Sequence, residues 1–463
     1  MTKTILLAAL PFLSLIAAAP PPAPAVVSPE TVRLRDSALA GDHVAWDIVE
    51  GLTTEVGPRL AGTEAEARAR AWAVARLKSL GFANVHVEAD VMPVWIRGAE
   101  SAEIVAPFPQ HLVVTALGRS GATPPEGVTA LVAGFDDLEA LKAAPAEAVR
   151  GRIVFISHAM HATQDGSSYG YFGPVRRNGP AIAAQKGAVA VVIRSLGTDH
   201  HRNPHTGATL WGDVPPIAAG ALAIPDAENL QRMLKRGRPV TMHLVLTPRR
   251  PGEGASGNVV AEVPGGDPSA GIVVIGGHLD SWDLGTGAID DASGIAITTA
   301  AARRIMESGQ QPRRTIRLVW FGDEETGGTG SKAYFAAHKD EHVVFVAESD
   351  FGADRIWRVD PGFAPADAAL ADRLAAALAP LGISRGDRPV EAGADLGAWI
   401  AAGRAGADLD QDGTRYFDWH HTPDDTLDKI DPEQLRQNVA AWTAMLSVVA
   451  NAPEAIDPVP AKR

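Results

Sequence analysis

The hydrophobic pattern changes period along the chain, and each change marks a different part. An apolar run from Ile5 to Ile16 follows the lone cation Lys3 and gives way to Ala17, Ala18, Ala19 and a proline-rich stretch, Pro20–Pro24. The run falls short of the ~20 residues that a spanning helix needs, and its layout is that of a cleaved secretory signal over residues 1–19. That predicts a secreted or periplasmic chain with no membrane span after cleavage. Ser28-Pro29-Glu30 reads as a helix start with proline in the first turn. Thr63 with Glu66 three residues on is a capping-box signature, predicting a helix to about Leu80 that Gly81 stops. The segment NVHVEADV from Asn84 alternates like a strand.

Between about 120 and 250 the texture is different: short Val/Ile/Ala runs, many glycines and prolines, and His-bearing loops. Gly151–Ala159 and Gly187–Ser195 predict short strands of a separate small unit. Beyond it, Gly271–Gly277, Thr315–Phe321 and Val343–Ala347 are apolar runs with the length and composition of buried strands. Helices predicted at Ala292 to about Glu307 and at about Ser331–His338 separate them. This alternation predicts an α/β fold with mainly parallel strands. The implied division is 28–119 and 251–455 as two parts of one domain, with 120–250 inserted between them.

Composition narrows the chemistry. The 463 residues are 46% hydrophobic and 21% charged, ordinary for a globular protein. A formal charge of -13 argues against nucleic acid as a partner. There is no cysteine, which removes disulfides, thiolate metal sites and cysteine nucleophiles together, so a metal site must be built from Asp, Glu and the 14 His.

Three of the predicted strands end on such residues. His278-Leu279-Asp280 follows the first, Asp323-Glu324-Glu325 the second and Glu348-Ser349-Asp350 the third. Residues just past the carboxyl ends of parallel strands collect in one crevice, where ligands bind. Asp290 and Asp291 open the helix after the first strand, and His420 and His421 stand in a loop before the last helix. Singly, each is ordinary: a satisfied histidine, a solvated helix start, a cap. Together they are an acid cluster that would repel itself without cations. The set His278, Asp290, Glu325, Asp350 and His421 brings three negative charges. Two Zn²⁺ add four positive and one hydroxide removes one, so the site sums to zero. A single zinc would waste ligands, since a catalytic zinc takes about three from the protein. Glu324 is left over as a general base, with its neighbour Glu325 on the metal. Asp280 is placed to accept the second ring N–H of His278.

With these residues in hand, GGHLDSWDLGTGAIDDASG, RTIRLVWFGDEETGGTGS, ESDFG and HHTPDDTLDKID resemble the di-zinc exopeptidase family of bacterial leucyl aminopeptidases and glutamate carboxypeptidases. The likeness runs from VGPRLAGTEA near residue 56 to the final helix. It implies a zinc-exopeptidase (phosphorylase/hydrolase-like) fold with a central mixed, mainly parallel sheet of about eight strands flanked by helices, and a protease-associated-like domain inserted at 120–250. It also implies His278 and Asp350 on one zinc, Glu325 and His421 on the other, Asp290 bridging, a cis Asp290–Asp291 bond, and a homodimer. Short peptides with a free N-terminus are the expected substrates. Alternatives are an aminopeptidase trimming longer peptides, a single-zinc enzyme like glutaminyl cyclase, and an inactive binding domain on the same scaffold. Trp282 and His205, the latter within Pro204–Gly207 (PHTG), are expected near the substrate. Asp408–Gly413 imitates half a calcium loop, but Trp419 stands where that loop needs a bidentate Glu, so a structured loop is expected there.

Overall fold

The computed structural model describes residues 25–460, so the expected signal segment 1–19 lies outside the described residues. Helix Pro29–Gly41 starts as expected, with Ser28 accepting from the Thr31 N–H at 3.0 Å. Helix Glu64–Ser79 is capped by Thr63, which accepts from the Glu66 N–H at 3.4 Å. The reciprocal half of the box is shifted: Glu66 accepts from the Gly62 N–H, and also from Ser256 Oγ at 3.1 Å. Glu66 is thereby fully buried and ties this helix to the sheet.

That sheet has eight strands in the order Ala83–Ile96, Arg249–Val263, Thr315–Phe321, Ile272–His278, Val343–Glu348, Ala405–Gln411, Ile356–Gly362 and Ser384–Arg385. Its four central strands run parallel, and the flanking strand pairs on either side include antiparallel partners, so it is mixed. Helices Ser293–Glu307 and Pro432–Asn451 pack on it, and nearly every residue of the latter from Leu435 to Ala450 is buried. A helix buried on nearly every side belongs to a protein core, and no helix among the described residues is long and apolar enough to cross a membrane.

A second sheet of eight strands is drawn from residues 100–246, ordered Gln110–Leu112, Glu100–Ala106, Thr241–Leu246, Val128–Phe135, Ile153–Ile156, Ala190–Arg194, Ala218–Leu222 and Val114–Ala116. It therefore begins about twenty residues ahead of the boundary expected at 120. The reason is that alternating strands read alike whichever sheet they join. Residues 405–411 also depart from expectation: the calcium-like DLDQDG lies largely on a strand. Its acids are engaged by the protein, Asp410 with Arg358 and Arg388, and Asp408 with the Glu391 and Ala392 N–H groups.

Candidate metal centre

Strand register assembles the centre. His278 is paired with Phe321 across parallel neighbours, so the strand ends carrying His278 and Glu324–Glu325 lie abreast. Ser349 donates its N–H to the Gly276 carbonyl at 3.0 Å, which brings Asp350 alongside. Asp290 arrives on the turn Ala288–Ala292, through a cis bond to Asp291. Asp291 accepts from the His278 N–H and from the Gly294 N–H, each at 3.0 Å, stitching the strand end to the helix start.

The five residues singled out as ligands converge. His278 Nε2 lies 3.0 Å from Asp290 Oδ1 and 3.4 Å from Asp350 Oδ1. The other oxygen of Asp290 lies 3.2 Å from His421 Nε2, which is itself 3.0 Å from Glu325 Oε2. One carboxylate thus faces a His–carboxylate pair on each side. Glu324 is half-buried and lines the cavity over this centre.

The Asp280 expectation is corrected. Its carboxylate stands 3.7 Å from His278 Nδ1, too far for a hydrogen bond; its main-chain carbonyl takes that N–H, at 3.0 Å. The carboxylate instead accepts from the N–H groups of Glu324 (3.1 Å) and Glu325 (3.3 Å). Asp280 is therefore a positioning residue for the glutamate turn. Glu324 and Glu325 both stand on this turn, Glu324 half-buried and Glu325 buried.

The chain also matches known proteins. A model of peptidase family M28 matches residues 258–446. Carboxypeptidase Q of Bos taurus is 35% identical over 411 residues, which cover 87% of this chain and 84% of the bovine protein. The chain belongs to peptidase family M28. The crystal structure of a peptidase M28 precursor from Shewanella amazonensis SB2B is 45% identical, with a TM-score of 0.91 over 93% of this chain and 98% of that one. An aminopeptidase from Aneurinibacillus sp. strain AM-1, 23% identical with a TM-score of 0.62 over 94% of this chain and 98% of its own, shares the fold. The resemblance drawn from the motifs holds, and this M28 chain is a metallopeptidase.

The donor set of this M28 site fits cations. Burial, reinforced by neighbouring carboxylates, pushes Asp280, Asp291, Glu324, Glu325 and Glu348 well above the usual carboxylate range. Burial works the same way on Asp290, but hydrogen bonds with His278 and His421 outweigh it and hold its carboxyl well below that range. Glu325 Oε1 is buried with no partner among the described residues. Oxygen and imidazole donors without thiolate suit zinc.

Above the centre lies a cavity of about 620 Å³, within the ~300–1,000 Å³ of small-molecule sites. Its walls include Tyr169, Arg176 and Arg177 from the second sheet's unit, and His420 from the loop of His421. Burial, with His421 beside it, holds the His420 ring well below its usual value and so neutral. Neither expected substrate residue lines the cavity. Trp282 is buried behind His421, their rings 5.7 Å apart, and packs edge-on to Trp95 at 6.2 Å. His205 is also buried, bonded to the main chain of the His421 loop. Both motifs flank the candidate ligands from behind.

Arg59 is a functional residue that reasoning from sequence missed. Fully buried, it donates to the carbonyls of Leu279 (2.5 Å), Thr286 (2.6 Å) and Gly287 (2.9 Å). Asp425 holds the same loop from the other side, accepting from the Ala288 and Ile289 N–H groups at 2.8 and 2.7 Å. Together they clamp the segment that presents Asp290. Its signal, an arginine inside VGPRLAGTEA, is the same for a buried as for an exposed side chain. An unpaired buried carbonyl costs ~1–3 kcal/mol, so Arg59→Met, stranding three, should lose at least ~3 kcal/mol in urea unfolding of the metal-free protein. A loss under ~1 kcal/mol would mean the loop holds itself.

Proposed function

We propose that this chain is an exported co-catalytic zinc exopeptidase that hydrolyses dipeptides and other short peptides with a free N-terminus. One observation carries the reading: the Asp290 carboxylate spans His278 on one oxygen and His421 on the other, with Asp350 and Glu325 beside them. In this arrangement His278 and Asp350 would hold one ion, Glu325 and His421 the second, and Asp290 both. Bound zinc supplies Lewis-acid polarisation of the scissile carbonyl and lowers the pKa of water.

The remaining chemistry belongs to the chain. Glu324 accepts a proton from the attacking water and returns it to the leaving amine. Asp280 keeps Glu324 on the cavity side through its main-chain N–H. The inserted unit, which we take as protease-associated-like, bounds the cavity with Tyr169, Arg176 and Arg177 and so limits how far a peptide extends. The acidic rim favours a positively charged terminus. Names among relatives, carboxypeptidase Q and aminopeptidases, agree with an exopeptidase.

The test compares a free dipeptide, its N-acetyl form and a hexapeptide under one set of conditions. Acetylation should lower kcat/KM at least ~10²-fold, which corresponds to roughly 3 kcal/mol of amine anchoring. Equal turnover of the acetylated form would exclude that anchoring, and a hexapeptide cut as fast as the dipeptide would make the enzyme an aminopeptidase of longer chains.

A further inference from the structure

We propose that the unit built on the second sheet is a working part of the metal centre, with His205 the positioning residue that sets His421 in place. The inference rests on the reading above, in which His421 holds a metal. His205 is 1% exposed, and both its ring nitrogens face acceptors: Nδ1 lies 2.7 Å from the His420 carbonyl and Nε2 2.9 Å from Asp199 Oδ1. Asp199 is fixed in turn by accepting from the His201 N–H at 2.8 Å. The ring lies flush on Gly197, where a Cβ would come within 2.1 Å of Nε2, so the site is shaped for this side chain.

The grip continues in the next residue. The Thr206 carbonyl lies 3.3 Å from His421 Nδ1, and the Thr206 N–H donates to the His421 carbonyl at 3.0 Å. Arg176 Nη1 also lies 3.4 Å from Nδ1 and, being a donor only, competes for it; Arg176 bonds the Thr206 carbonyl too, at 3.3 Å. In the tautomer with the proton on Nδ1, that proton goes to the Thr206 carbonyl and the Nε2 lone pair is left free toward Asp290 and Glu325, as a metal ligand requires. Two further bonds pin the approach to the loop: the Thr198 N–H to the Phe417 carbonyl at 3.1 Å, and Thr198 Oγ1 to Asp418 Oδ1 at 2.6 Å. The loop needs such support, because His421 has a φ of 62°, a left-handed conformation that a residue with a Cβ keeps only when its surroundings impose it. His205 anchors the carbonyl directly before that strained residue.

Asparagine and glutamine at 205 separate the two ring nitrogens. An asparagine amide N–H falls near the place of Nδ1 and a glutamine amide N–H near Nε2. In zinc-loaded full-length protein, His205→Gln should weaken one of two metals by ~10–100-fold, the cost of losing an outer partner of a ligand, and leave the other unchanged. His205→Asn should recover most of that affinity. With Co²⁺ in place of zinc, the visible absorption bands should change in the Gln variant and stay near wild type in the Asn variant. Wild-type affinity and spectrum in the Gln variant, equal weakening of both metals, or no advantage of Asn over Gln would each overturn the proposal. If the Gln variant does not fold, Asp199→Asn keeps the ring but removes its charged partner, and the same single-site weakening is expected; unchanged affinities there would also overturn it. His421→Ala is the control for the underlying reading and should lose one metal outright. Should it keep both, His421 is not a ligand and the ligand assignment itself fails, whatever the 205 variants show.

Discussion

Glu324→Gln is expected to yield a folded protein with its metals in place and turnover lowered by ~10²–10⁴, the usual worth of one proton carrier. Glutamine keeps the size of the side chain and does not accept the proton. The environment of Glu324 differs from that of Glu325 in the way this requires. Glu325 lies 3.0 Å from His421 and is buried, whereas Glu324 is half-buried on the cavity wall. The main-chain N–H groups of Glu324 and Glu325 both donate to the Asp280 carboxylate, so exchanging the Glu324 side chain leaves the turn intact. Steady-state kinetics together with elemental analysis decide the matter. Near-normal turnover removes Glu324 from the mechanism, and loss of metal from the variant means that the two glutamates exchange roles.

Asp290→Ala should have the other large effect, this time on composition. Zinc-reconstituted wild-type protein should approach two ions per chain, and the variant should fall below one. The carboxylate faces both imidazoles, so its removal takes a donor from each half of the site and the negative charge that lies between two cations. At a separation of 4 Å, two unit charges repel by about 4 kcal/mol at an effective dielectric constant of 20, and doubly charged ions by more. If wild-type protein saturates at one zinc, the single-metal reading related to glutaminyl cyclase replaces this one. If the variant keeps two, Asp290 is not shared.

The centre was legible because its residues sit where chain chemistry concentrates them. Apolar runs mark buried strands without reference to neighbours, and His278, Glu325 and Asp350 each stand within a few residues of such a run's end. Helix starts were legible at Ser28 and Thr63, where a cap is a local device. What sequence left open depends on partners far along the chain. Arg59 reads as one more surface cation until the loop from Leu279 to Gly287, some 220 residues on, closes over it. Asp280 has the spacing to orient His278, and only the register of two strands shows that its carboxylate meets the glutamate turn. His205 and Trp282 sit in motifs beside the right loops, but a motif does not say which side of the loop faces substrate. The boundary at 120 failed for a similar reason, since a strand's sheet is decided by its pairing.

The anchoring of the His421 loop also bears on the order in which the molecule forms. The bond from His205 to the His420 carbonyl joins residues 215 apart in sequence, and the strands Ala83–Ile96 and Arg249–Val263 pair across the whole of the second sheet's unit. Contacts of this span repay the entropy of closing their loops only once intervening segments are compact, so they form late. By that argument the loop that completes the cation site belongs to the late-forming part of the fold. An emerging chain therefore offers its His and carboxylate residues as scattered, weak donors, and full affinity arises only with the finished fold. Tight metal binding is then expected to follow the closing of the fold rather than to nucleate it.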